Sequence, residues 1–211
     1  MAIIQWHKNF RTKGTLTYSL SERFRGGHWL TVFDKAVTEF NQQMSQHGLK
    51  LALSKVEKGK GPHIRFDTET GNGLHGQAPT KTTKINRVEY NDEVTILVPA
   101  TPRVDRENPK SREVGPGVRL CLLVHEMIHA VGLSNDEHAK DDVFSTKGVV
   151  IQKGHDYHLA KKNQNFRVTE DKVQPPDLSE PMPPVRIGAT TLTNLKKAWS
   201  VEETKPADKT K

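Results

Sequence analysis

Hydrophobic positions along this chain follow two periods, and the switches between them predict the order of elements. Leu16, Tyr18 and Leu20 alternate with polar residues and predict a first strand. Residues 21–27 are polar and end in glycine, so they read as a turn. From His28 the spacing becomes helical, with Trp29, Phe33, Ala36, Val37, Phe40 and Met44 on one stripe; Gly48 is placed to close it as a left-handed cap. Alternation returns at Leu49, Leu51 and Leu53, and Ile64 with Phe66 marks a third strand after the turn at 58–62. Residues 70–80 are glycine-rich and read as an irregular edge or loop, whereas 93–99 is the strongest strand pattern in the chain. Residues 102–117 are charged and broken by prolines, which predicts a loop.

The stretch 118–133 obeys neither amphipathic pattern. Apart from Arg119, its only polar side chains are His125, Glu126 and His129, and every other face is apolar. A helix apolar all round is normally buried, and Gly132 is placed to stop this one. At about 100° per residue the two histidines lie roughly 40° apart, one turn from each other on one face. Imidazoles and a carboxylate are costly to bury without partners. A divalent metal would satisfy both histidines at once, and His-Glu-x-x-His on a helix is the zinc-hydrolase pattern with the glutamate as general base.

Past residue 133 the pattern is irregular, with a short strand at 148–152 and a proline-rich extended loop at 163–184. A last helix is expected from about Thr190, with Leu192, Leu195 and Trp199 on one side, followed by a charged, disordered tail at 201–211. The 211 residues suit one domain of about 1–200, with an N-terminal subdomain to about 132 and a C-terminal one from 133.

Composition alters this picture little. The net charge of +7 would favour anionic partners, but the 32 basic residues are interspersed with 25 acidic ones and read mainly as a solvated surface. One cysteine, Cys121, excludes an intrachain disulfide and fits a reducing compartment; inside the apolar helix it reads as core. No run is long enough for a membrane span or a signal peptide, so the expectation is a monomer that is cytoplasmic as synthesised, with leaderless export left open.

A catalytic zinc needs a third protein ligand and one open position. Gly132 allows a sharp turn, so the candidates are Asn135, Asp136 and His138; imidazole is the better zinc ligand, which favours His138 over Asp136.

The segment His125-Glu-Met-Ile-His129-Ala-Val-Gly132-Leu-Ser-Asn-Asp-Glu-His138 resembles the metzincin zinc peptidases, whose motif is His-Glu-x-x-His-x-x-Gly-x-x-His. Asn135 stands at the family's third-histidine position and His138 comes three residues later, which implies a lengthened turn. Met182 in Ser179-Glu-Pro-Met-Pro-Pro184, with the helix after it, looks like the Met-turn and C-terminal helix of matrixins. Residues 6–20 look like the Trp…Leu-Thr-Tyr opening of matrixin catalytic domains, and Leu74-His75-Gly76-Gln-Ala-Pro79 is similar to their substrate-binding edge strand.

The resemblance implies an α+β, zincin-like fold: a twisted, mainly parallel sheet with an antiparallel edge strand, a backing helix, a buried zinc-binding helix and a C-terminal helix. It also implies one catalytic Zn2+ held by His125, His129 and His138, with Met182 beneath, and a peptide or protein substrate extended along 74–76. Glu126 would take a proton from a zinc-activated water and pass it to the leaving amine. Three weaker leads accompany this reading. His155 and His158 have helix or turn spacing and could hold a second metal; the basic charge would suit a zinc peptidase of DNA-associated proteins; and a non-catalytic, zinc-stabilised binding protein would not need Glu126.

Overall fold

The computed structural model describes residues 5–73, 76–103, 107–110, 113–134, 137, 143–145, 148–152, 155–159, 167–168 and 185–200. In chain order the elements are α1 (Lys8–Lys13), β1 (Thr15–Leu20), α2 (Glu22–Arg25), α3 (Leu30–Gln46), β2 (Ala52–Lys55), β3 (Ile64–Asn72), β4 (Thr80–Ile85), β5 (Val88–Thr101) and α4 (Pro116–Ala130). Beyond them lie β6 (Val143–Ser145), β7 (Gly148–Gln152), β8 (His155–Leu159), β9 (Arg167–Val168), β10 (Val185–Ile187) and α5 (Ala189–Trp199).

The main sheet runs β2-β1-β3-β5-β4. β1 pairs in parallel with β2 and β3, β3 pairs in parallel with β5, and β4 closes the edge antiparallel to β5. The parallel β1–β2 pair requires a crossover, which α3 supplies. The anticipated α+β class, with a mostly parallel sheet and one antiparallel edge pair, is therefore what the chain adopts. β10 pairs antiparallel with β6, and β7 lies between β8 and β9.

The core forms where the apolar stripes meet. All six stripe residues of α3 are buried, and so are Leu49, Leu51, Leu53, Ile64 and Phe66. Tyr18, Phe24, Phe33 and Phe66 meet edge to face or tilted, at centroid distances of 4.8–6.0 Å, the arrangement the ring quadrupoles favour. α3 ends as expected: Gly48 is left-handed at φ 70°, and the Leu49 N–H donates to the Met44 carbonyl at 2.9 Å.

Several elements depart from the sequence pattern, each for a physical reason. The polar turn at 21–27 contains α2, because the Ser21 hydroxyl accepts from the Phe24 N–H at 3.1 Å while the Phe24 ring enters the core. β5 begins at Val88 instead of 93 and forms a hairpin with β4 through Asn86 and Arg87, both at positive φ. Every residue of β4 is exposed, so it carries no alternation to read. α1 buries no residue of its own and is equally invisible in the pattern; Gly14, at φ 69°, ends it hard against the Lys50 carbonyl.

The glycine-rich stretch is more regular than expected, since β3 reaches Asn72 and Gln77 bridges Leu97 antiparallel. Downstream, the strand expected at 148–152 is β7. His155 and His158 lie in strand β8, not in a helix or turn, which removes the spacing argument for a second metal. The proline-rich segment contains β9; its remainder and the tail at 201–211 lie outside the described residues. Among the described residues no helix is long and apolar enough to cross a membrane.

Candidate metal centre

α4 starts at Gly115, in extended conformation, with Pro116 in the first turn where a missing N–H costs nothing. The preceding loop is tied back by the Val114 N–H to the Pro102 carbonyl at 2.7 Å. From there α4 runs into the core, packed against α3 and β5. Leu120, Cys121, Leu123, Val124, Met127 and Ile128 are all buried, Cys121 as core, as expected.

The far end of the helix is held more elaborately. Gly132 is at φ 115° and donates to the His129 carbonyl at 2.9 Å; Leu133 donates to the Ile128 carbonyl at 3.3 Å. The next two carbonyls are capped by tryptophans from opposite ends of the chain. The Trp6 indole N–H donates to Ala130 and the Trp199 indole N–H to Val131, both at 2.9 Å. The orphan carbonyls of a helix end thus find buried partners, and the bearing of His129 is fixed.

His129 Nδ1 lies 2.8 Å from the Leu133 carbonyl. A carbonyl only accepts, so Nδ1 carries the proton and Nε2 presents a lone pair. That is the usual outer contact of a metal-bound imidazole. His129 Nε2 stands 3.1 Å from His125 Nε2. Two nitrogens each about 2.0–2.1 Å from one tetrahedral zinc would stand roughly 3.3–3.4 Å apart. The two rings meet at an 80° interplanar angle, their Nε2 atoms converging. The pair therefore fits two neighbouring positions of one zinc.

Glu126 is buried where the adjacent His125 is partly exposed. Its side chain is 3% exposed, against 27% for His125, and Oε1 lies 3.8 Å from His125 Nε2. The carboxylate flanks the point to which the imidazoles converge and stands against Gly76, which runs into the sheet-edge bridge at Gln77. Of the residues expected at the site, His125, Glu126, His129 and Gly76 are thus brought together. His138, Asp136, Asn135, Met182, Leu74 and His75 lie outside the described residues. Among the described residues no group of three or more His, Cys, Asp or Glu side chains is arranged to hold a metal.

Other contacts at the site are not foreshadowed by the zinc motif. Glu137 Oε2 accepts from the Ser134 N–H at 2.7 Å and from its hydroxyl at 2.9 Å. Asn194 of α5 donates to the Glu137 carbonyl at 2.7 Å. The chain immediately before His138 is therefore tied at both side chain and backbone. The Ser-x-x-Glu spacing at 134–137 is a capping-box signal that could have revealed the first half of this arrangement. Nothing in the sequence marks Trp6 and Trp199 as caps of α4.

No model of a known protein family matches the chain, and no curated protein matches it.

Proposed function

We propose that this chain is a zinc-dependent endopeptidase of metzincin type, with a matrixin-like catalytic domain and a lengthened third-ligand turn. The observation that supports it most is the convergence of two Nε2 atoms 3.1 Å apart, one from an imidazole oriented through Nδ1, beside a nearly buried carboxylate. His125 and His129 would hold the zinc with His138, and Met182 would lie beneath. Bound zinc would supply Lewis acidity toward a water and the scissile carbonyl. Glu126 would accept the proton of that water and deliver it to the leaving amine, its burial keeping bulk water from competing. The edge beside Gln77, paired to β5 on its inner side, would offer its outer side to an extended peptide.

Metal analysis and peptide cleavage on wild type, Glu126→Ala and His138→Ala test this reading. We expect one zinc per chain in wild type. Glu126→Ala should keep its zinc and lose cleavage by about 10²–10⁴-fold, whereas His138→Ala should lose zinc affinity. Normal cleavage by Glu126→Ala would sink the mechanism; full zinc affinity in His138→Ala would move the third ligand to Asp136 or beyond.

A further inference from the structure

We propose that Gly76 is a positioning residue for Glu126: its missing side chain leaves the space that the carboxylate occupies. Only the kinetic half of this inference rests on the peptidase reading. A Cβ added at Gly76 would stand 2.4 Å from Glu126 Cδ and 2.5 Å from both Cγ and Oε1. Contacts below 3.0 Å are essentially never made by real Cβ atoms.

It is the crowding by the Glu126 side chain that calls for glycine here. Neither main chain can easily retreat. Gln77, the next residue, exchanges two hydrogen bonds with Leu97, at 2.9 and 2.8 Å. On the opposite side Glu126 projects from α4, whose backbone is locked in the core. The movable party is the Glu126 side chain, so a methyl group at 76 displaces the carboxylate from its place near His125 Nε2. Gly76 therefore acts through Glu126, without any need to touch the substrate.

The test is a double-mutant cycle on the full chain: wild type, Gly76→Ala, Glu126→Ala and the double variant, read by thermal unfolding. Gly61→Ala, at a position with nothing within 4 Å of an added Cβ, controls for a glycine substitution as such. With Glu126 in place, Gly76→Ala should lower the midpoint by roughly 2–4 °C or more. In the Glu126→Ala background it should have little effect, because the colliding atoms are gone. Zinc content should be unchanged, and kcat should fall by about ten- to a hundredfold with KM near the wild-type value.

An equal loss of stability in both backgrounds would overturn the proposal, as would a coupled loss with kcat unchanged. If wild type cleaves no peptide, the peptidase reading falls, while the unfolding cycle still decides whether Gly76 confines the carboxylate.

Discussion

The two long helices, α3 and α4, solve opposite problems with the same backbone. α3 buries one stripe and keeps its other faces polar, and it uses those polar side chains on the rims of neighbouring strands. Asn41 accepts from the Leu53 N–H at 2.7 Å and donates to the Leu53 carbonyl at 2.9 Å; Glu39 accepts from the Val185 N–H at 2.8 Å. α4 has few polar residues: Arg119 donates to the His28 carbonyl, while the two histidines turn their Nε2 atoms toward each other and His129 Nδ1 donates to the Leu133 carbonyl. Polar groups on α3 thus serve assembly. On α4 it is the Glu126 carboxylate that sits where burial works against it, and such a group persists when function needs it.

The largest contrast comes from Glu126. If the proposed peptidase reading holds, replacing Glu126 with Gln should abolish most peptide cleavage, yet leave the unfolding midpoint unchanged or raised, because a buried carboxylate is removed. Chemical denaturation beside a cleavage assay separates the two effects. A marked fall in stability would mean that Glu126 serves the fold, as the polar residues of α3 do. The converse substitution is Phe40→Ala on α3. Phe40 is fully buried, so the change should cost about 3–5 kcal/mol in urea unfolding, through global stability and not through any selective effect on the candidate site.

Trp199→Phe is smaller and more local. It keeps the ring in the core but withdraws the N–H from the Val131 carbonyl. A buried carbonyl left without its partner costs about 1–3 kcal/mol. Because the loss falls at the end of α4 next to His129, the zinc of the proposed site should be released to a chelator faster than from wild type. Unchanged release with reduced stability would make the indole a matter of core packing alone.

How much of this was legible depended on whether an element carries its own apolar signal. Leu16, the α3 stripe, Ile64, Phe66 and the run at 93–99 are placed by periodicity, because their burial is patterned along the chain. β4 is exposed throughout and α1 has no fully buried residue, so both are fixed by tertiary contacts and left no pattern. At the site, the pairing of His125 with His129 follows from helical geometry. The contact between Gly76 and Glu126, and the two indole caps, join residues 50 to more than a hundred positions apart, and no local rule records them.

A third histidine sharpens the contrast at the lowest energy. His129 uses Nδ1 as a donor; His63 uses Nδ1 as an acceptor, taking the Thr17 N–H at 2.8 Å where β1 meets β3. It sits edge to face against Trp6 and Phe10. Burial, with Lys13 adding to it and Asp92 opposing, pushes its pKa below the usual histidine value of 6.5. The folded state therefore prefers the neutral ring, while the unfolded chain takes up a proton as pH falls below 6.5. Stability from this contact is complete above that value and is lost from there down through the folded pKa. Asp67 behaves separately: burial raises its pKa, but hydrogen bonds from Ser21 and Thr68 and the Arg23 guanidinium outweigh this and hold it below 3.8, so its contribution fades only in stronger acid. His63→Asn can keep an acceptor for the Thr17 N–H and cannot titrate. Its unfolding midpoint should change less than that of wild type as the pH is lowered from 6.5. Parallel pH profiles for the two proteins would show that the slope does not come from His63.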